Sequence, residues 1–416
     1  MSKPALLFLA HRIPYPPNKG DKIRSYHLLR QLAGTHRIFL GTFIDDPADH
    51  AGVAPLRQWC EQVFVRDLSP RWGRLRSLLG LLSGEALSLP YYRDRVLQDW
   101  VDQVLGTQDI ERVLVFSGAM AQYVMAERHG SLTRVVDFVD VDSDKWRQYA
   151  AQHRWPMRWI YAREARQLLD FERRVAAQFD ASVFVSPAEA ALFRELAPGL
   201  GERVWHAANG VDLAFYDPAQ PLDNPYGHQE LPLVFTGAMD YWPNVDAVQW
   251  FAGEVLPLIR ERYPAACFHI VGGGAGPAVQ ALARLDGVQL EGRVADVRPW
   301  IRHAAVVVAP LRVARGIQNK VLEGLAMARP TVVTPAALEG IAATPGQELL
   351  LGEDAVGLAA AVSQVLDDPQ AADRLGLRGR HLMERDFRWE DNMAVIERLV
   401  GQRGAGTLAM LGGVAG

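Results

Sequence analysis

AAVVVAPLRVARGIQNKVLEGLAMARPTVVT, residues 304–334, decides the fold. Two valine-rich apolar runs, each short enough for a buried strand, flank a stretch with helical periodicity. At 100° per residue Val321, Leu322, Leu325 and Ala326 share one face, which reads as core, while Lys320, Glu323, Gly324 and Met327 share the other. Strand, helix, strand in so few residues is the crossover unit of a parallel sheet. The helix opens on polar groups: Arg315, Gly316, Gln318, Asn319 and Lys320. A lysine in the first turn opposes the helix dipole. An anion joining it there, on the free amides of the helix start, reverses that sign. With Gly324 leaving space beside Lys320 and Glu323, a bound anion fits these residues. A solvated Lys320–Glu323 pair, worth a few tenths of a kcal/mol at roughly the usual strength, fits them equally.

The same rhythm runs outward in both directions. PALLFLA, HRIFLGTFI, RVLVFS, RVVDFV, ASVFVS and RVWHAA form one series of strands, and LPLVFTG, ACFHIVGGG, GVQLEG, AAVVVAPL and RPTVVT a second. Helical stretches lie between them, the pattern of parallel sheets covered on both faces. NGVDLAFYDPAQPLDNPYGHQE separates the two series and reads as a linker. The expected architecture is α/β: two doubly wound, Rossmann-like domains facing a cleft, residues 1–208 and 231–385, with a hinge at 209–230. Ligands of such sheets sit at the carboxyl ends of the strands.

At 416 residues a two-domain chain is expected. The net charge of −4 argues against a nucleic-acid partner. Two cysteines far apart, Cys60 and Cys267, argue against disulfide scaffolds and zinc sites and fit a reducing, cytoplasmic location. The opening apolar run is too short for a signal peptide, and no run approaches the ~18 apolar residues of a spanning helix. Two segments fall outside the rhythm. Residues 71–82 interleave Arg71, Arg74 and Arg76 with Trp72 and several leucines, which fits a membrane-surface helix or one packed on the sheet. A long helix rich in Arg and Trp is expected over about 143–178. The glycine-rich tail, 402–416, reads as disordered.

Further candidate residues cluster at strand ends. After the first strand, Gly20 allows close backbone approach, Asp21 reads as a helix N-cap, and Lys19, Lys22 and Arg24 supply positive charge for a phosphate or sugar. VVDFVDVDSDKW sets Asp137, Asp140, Asp142 and Asp144 in alternation. The calcium-loop spacing fails, since Lys145 and Ala151 stand where Gly and Glu are needed. An Asp-x-Asp cation site and helix capping by Asp142 or Ser143 both remain open, with Asp140 placed nearest the ligand. IVGGGAGP lacks the third glycine of a dinucleotide fingerprint, so Gly272 and Gly273 read as a tight turn lining the site. In TGAMDYWPNVDAV, Gly237 reads as close to a ligand and Asn244 as a cap.

Taken in order, these stretches resemble the family 4 glycosyltransferases of GT-B fold, over nearly the whole chain. The marks are PPNKGDKIRSYHLLRQLA, FDASVFVSPAEAALF, NGVD, FTGAMDYWPNVDAV, IVGGG, GRVADVRPWIRHAAVVVAPLR and QNKVLEGLAMARPTVVT. FRWEDNMAVIERLV looks like the last helix, 386–401, which in that fold crosses back to the first domain. VVDFVDVDSDKWRQYA is similar to sugar transferases of exosortase (PEP-CTERM) exopolysaccharide systems. The resemblance implies a retaining, metal-independent hexosyltransferase with no cofactor beyond its co-substrate, a nucleotide-diphosphate sugar. The acceptor would be lipid-linked or a polysaccharide, met at the cytoplasmic membrane face. Lys320 matches a phosphate cation and Glu323 the ribose carboxylate, with Gly316, Gln318 and Asn319 lining the same donor site. Arg315 stands where the family often carries a second Glu. The family's Arg and Lys after the first strand of the second domain are missing, so Arg315 and Lys320 are expected to carry that charge. Asp140, Arg315 and Lys320 are the expected catalytic groups. A metal-dependent transferase using Asp140 and Asp142, or an inactive sugar-nucleotide-binding subunit, are the alternatives.

Overall fold

The computed structural model describes residues 3–17, 20–69, 73, 76–77, 80, 84–314 and 316–402. It divides into two units, Met1–Ala208 with Asn392–Gly416, and Asn209–Asp391.

Unit 1 is built on a parallel sheet of seven strands, β1 (Ala5–Ala10), β2 (Arg37–Ile44), β3 (Cys60–Asp67), β4 (Ile110–Phe116), β5 (Thr133–Val139), β6 (Ala181–Phe184) and β7 (Val204–His206), in the order β3-β2-β1-β4-β5-β6-β7. Every residue of β1 is buried, as a central strand with helices on both faces requires. The order reverses between β1 and β4, so the loops after these strands part and leave a crevice.

Unit 2 repeats the scheme with six strands, β8 (Leu231–Thr236), β9 (Ala266–Val271), β10 (Val288–Gly292), β11 (Val306–Ala309), β12 (Thr331–Val333) and β13 (Leu350–Leu351), in the order β10-β9-β8-β11-β12-β13. Its reversal falls between β8 and β11. The stretch at 304–334 is the β11–helix–β12 crossover, with a helix at Asn319–Ala326.

Several expectations need correction. Gly324 and Met327 are buried, so that helix is covered on more than its Val321 face. A Cβ at Gly324 would lie 2.9 Å from Thr331 Oγ1 and 3.0 Å from Val307 Cγ1. The glycine lets helix and sheet approach and leaves no room for a ligand. The expected linker 209–230 packs into unit 2: Val211 and Tyr226 are buried in its core and Tyr216 packs against it. The long helix expected over 143–178 is two, Asp142–Gln152 and Met157–Gln178, interrupted before Pro156, whose ring cannot continue a helix. The final helix, Trp389–Gly401, runs into unit 1 from Asn392; there Glu397 accepts from Gln31 and Thr35. Residues 403–416 lie outside the described residues, as does most of the basic segment 71–82.

Candidate functional site

In unit 2 the functional groups gather where β8 and β11 diverge. Lys320, in the first turn of the Asn319–Ala326 helix, donates to Asn244 Oδ1 at 3.1 Å, and its Nζ lies 5.1 Å from the centroid of the Phe235 ring on β8. Asn244 in turn donates from Nδ2 to the Ala238 carbonyl at 2.9 Å. Asn244 therefore does not cap the helix at Trp242–Trp250, whose N-cap is Tyr241. It is a buried bridge that fixes the lysine against the loop after β8. Burial lowers the Lys320 ammonium to about 8, and Glu323 opposes that shift. Glu323 is itself pushed above the usual carboxylate range by burial, with the Tyr216 hydroxyl donating to it and Lys320 nearby pulling it back. Tyr216 stays protonated, because burial and the adjacent carboxylate both raise its phenol. A cation and a carboxylate are thus held one helical turn apart, the first fixed by Asn244 and the second by Tyr216.

The glycines of the expected donor site line the same strand ends. Gly237 donates to the Val271 carbonyl at 3.0 Å, Gly272 to the Gly292 carbonyl at 2.8 Å, and Met239 to the Gly273 carbonyl at 2.7 Å. Backbones pass so closely that a Cβ on Gly272 would lie 1.7 Å from the Gly237 carbonyl oxygen. A Cβ on Gly273 would meet the Arg293 side chain first, at 3.1 Å from Nε. Gly272→Ala should therefore cost at least about 2–3 kcal/mol, the upper end of overpacking because backbone cannot yield, whereas Gly273→Ala should cost little. Calorimetric unfolding of the two variants compares them directly. Gly316 takes a positive φ of 61° and its carbonyl accepts from Gln318 Nε2 at 3.1 Å, which tightens the turn before Asn319. Arg315 lies outside the described residues. Nearby Arg312 is committed to Asp246, 3.0 Å from Nε to Oδ2.

In unit 1 the phosphate loop differs from expectation. Lys19 lies outside the described residues. Gly20 opens its helix and is exposed. Asp21 sits in the first turn rather than capping it, and holds Arg12 at 2.6 Å and His11 at 3.3 Å. Arg24 and Lys22 are turned inward: Arg24 Nε bonds Asp137 at 2.8 Å and Lys22 Nζ bonds Asp49 at 2.9 Å, all four side chains being buried. Neither offers its charge to a ligand. Asp137 is thus the anchor of an internal ion pair at the end of β5.

Asp140 and Asp142 share one ammonium, with Lys145 Nζ 2.7 and 3.0 Å away. Burial works against that ammonium, but Asp142 and Asp140 outweigh it and hold it charged. Where the metal-dependent reading needs a divalent cation, the chain supplies its own cation. Ser143 does not cap either; its N–H and hydroxyl both donate to the buried Glu172, whose carboxyl burial pushes up to about 8. Asp140 follows Val139, a β-branched residue at φ 71°, and Ser117 at the end of β4 has φ 75°. Strain of this kind concentrates at ligand-handling strand ends.

Asn244, Tyr216 and Arg293 were not found as site residues from sequence. Asn244 carried a capping signal, Tyr216 lay in a linker-like stretch, and Arg293 had only its place after β10.

Residues 230–368 match the family described as Glycosyl transferases group 1. Glycogen synthase of Mycobacterium tuberculosis (strain ATCC 25618 / H37Rv) is 27% identical over 252 residues, 56% of this chain and 56% of that protein. The chain thus spans about half the length of the curated relatives it matches. Among solved structures, Anabaena Alr3699/HepE in complex with UDP and glucose superposes with a TM-score of 0.66 at 13% identity, covering 95% of this chain and 99% of that one. Sucrose-phosphate synthase from Thermosynechococcus elongatus gives 0.67 at 18%, covering 95% and 98%. WaaG, a glycosyltransferase involved in lipopolysaccharide biosynthesis, gives 0.64 at 15%, covering 95% and 100%. Residues 230–368 are therefore similar to the group 1 glycosyl transferases, and the two parallel-sheet units have the GT-B fold.

Proposed function

We propose that the protein is a retaining glycosyltransferase that moves a sugar from a nucleotide-diphosphate sugar to a lipid-linked or polysaccharide acceptor in cell-envelope or exopolysaccharide biosynthesis. The observation that carries this reading is the Lys320–Asn244 and Glu323–Tyr216 arrangement at the strand reversal, inside the matched segment 230–368. Lys320 and the amides at Asn319 receive the diphosphate, and Glu323 accepts from the ribose hydroxyls. As the C1–O bond to phosphate breaks, negative charge grows on the leaving diphosphate. A preorganised ammonium at that point stabilises the transition state. The acceptor oxygen bonds C1 on the face the phosphate leaves, and its proton passes to a departing phosphate oxygen. No added metal is needed at this site. Acceptor recognition is assigned to unit 1, with Asp140 and the Gly20 loop. Relatives in solved structures bind UDP and glucose, and one acts in lipopolysaccharide synthesis.

No helix among the described residues is long and apolar enough to cross a membrane. Contact with a lipid-borne acceptor is assigned instead to the junction of the helices Asp142–Gln152 and Met157–Gln178. Trp155 is 82% and Trp159 55% exposed there, beside exposed Arg154, Met157 and Arg158. Aromatic and cationic side chains together favour an anionic membrane surface. Vesicles containing anionic lipid should retain the protein and lose most of it on Trp155→Ser/Trp159→Ser; equal retention of both proteins would remove this contact.

The test of activity is a panel of nucleotide-sugars with lipid-linked and polysaccharide acceptors, the product anomer being read by NMR. Transfer with retention supports the reading. Nucleotide binding without turnover on any donor would make the chain a binding subunit instead.

A further inference from the structure

Away from the nucleotide-handling strand ends, on one face of the unit 2 sheet, three metal-ligating side chains meet. Cys267 and His269 alternate on β9 and so point to the same side. Glu230 immediately precedes β8, at the end opposite Gly237. The ligand atoms of Glu230, Cys267 and His269 all lie within 4.8 Å of one another, and Glu230 Oε2 is 3.4 Å from His269 Nε2. His269 is 4% exposed, and its buried Nε2 has no hydrogen-bond partner although that carboxylate is near. The other ring nitrogen, Nδ1, is 2.8 Å from Glu291 Oε1 on β10. A carboxylate on the far nitrogen fixes the tautomer and turns Nε2 outward as a ligand, the arrangement that orients metal-bound histidines. The Tyr226 ring meets His269 edge-on at 4.6 Å and, with Trp300, walls the group.

We infer that Glu230, Cys267 and His269 form a zinc-binding site, with Glu291 as its positioning carboxylate. Thiolate, imidazole and carboxylate together are the mixed donor set that zinc accepts. Bond lengths of about 2.0–2.3 Å imply tetrahedral edges of roughly 3.3–3.7 Å, so the Glu230–His269 separation of 3.4 Å already fits, and Cys267 Sγ lies within 4.8 Å of both. Zinc takes the thiolate, so metal binding displaces the Cys267 thiol proton to solvent as the Zn–S bond forms. Three protein donors leave the fourth position to water. A simple ion pair of His269 between two carboxylates accounts for Glu230 and Glu291 but not for the cysteine among them. Cysteine spacing in the sequence cannot register a glutamate that immediately precedes a neighbouring strand. The inference is independent of the glycosyltransferase reading, since no donor-site residue takes part.

The test is titration of the purified full-length protein, in metal-free buffer, with Co²⁺ and then Zn²⁺. One equivalent of Co²⁺ should bind with visible tetrahedral bands and a near-ultraviolet thiolate-to-cobalt band, both erased by one equivalent of Zn²⁺. Cys267→Ser should abolish the thiolate band, and Glu291→Gln should weaken Zn²⁺ by about 10–100-fold, as loss of such a partner does. Glu230→Gln, close in shape to the native residue, should also weaken Zn²⁺ and serves if Cys267→Ser fails to fold. Absence of stoichiometric Co²⁺ binding by the wild type overturns the inference. So does a thiolate band that survives Cys267→Ser, or Zn²⁺ affinity indifferent to both glutamate variants.

Discussion

Lys320→Met is expected to weaken binding of the cognate nucleoside diphosphate by about 10–150-fold, the value of a hydrogen bond to a charged group, about 1.5–3 kcal/mol. Turnover should fall further, by roughly 10²–10³, because the diphosphate carries more charge in the transition state than in the ground state. The methionine keeps the length and packing of the side chain over Phe235, so loss of fold is not the expected cause; an unchanged circular dichroism spectrum checks this. A pH signature accompanies the loss. In the free protein Lys320 releases its proton near pH 8 rather than at its ordinary 10.5. A bound diphosphate favours the charged form, so wild-type affinity should fall as pH rises through about 8, by up to about tenfold per unit. Stability runs the other way. Between about 8 and 10.5 the unfolded chain holds the extra proton, so this residue's contribution to stability rises with pH across that window. Lys320→Met should remove both trends.

The second large effect is structural. Asp137→Ala should destabilise unit 1 by about 3–5 kcal/mol, because it strands the buried Arg24 guanidinium without its carboxylate. Asp137 and Arg24 are 0% and 1% exposed, so water cannot replace the lost partner. The double variant Arg24→Met/Asp137→Leu should recover most of that loss, since both charges leave the interior together. Chemical denaturation of the three proteins measures it. Equal stability of Asp137→Ala and wild type would mean that the pair is hydrated and that Arg24 is available to a ligand after all.

Most of the strands were legible in the sequence as short apolar runs. Eleven apolar runs correspond to β1, β2 and β4 through β12. The two strands missed, β3 and β13, are both sheet edges. Most of β3 is exposed or half-buried, with Glu61, Gln62, Arg66 and Asp67 diluting its apolar signal, and β13 has only two residues. Edge position alone does not hide a strand, since β7 and β10 are edges too and were read; charge dilution in β3 and shortness in β13 do.

The site was legible only in part, for a related reason. Lys320 and Glu323 stand out because they share a helix turn, a local relation that spacing can express. Their partners Asn244 and Tyr216 are distant in sequence, and each carries a more ordinary local meaning, a cap and a linker residue. Charge misled in the same way at Arg24 and Lys22, and as to a cation site between Asp140 and Asp142. Cations near a helix start read as anion binders until the structure brings Asp137 and Asp49 against them. Carboxylates in alternation read as a cation site until Lys145 supplies the cation. Local pattern shows which groups are present; only the fold shows which of them are already neutralised.

The central claim is that Lys320 holds the donor's diphosphate. It is tested most directly by calorimetric titration of UDP, GDP and ADP into wild type and Lys320→Met, without added metal, at pH 7 and pH 9. The account predicts that one nucleotide binds the wild type well at pH 7 and more weakly at pH 9, and that the variant binds it weakly at both. Binding that survives Lys320→Met unchanged, or that arises only on adding a divalent cation, would contradict it.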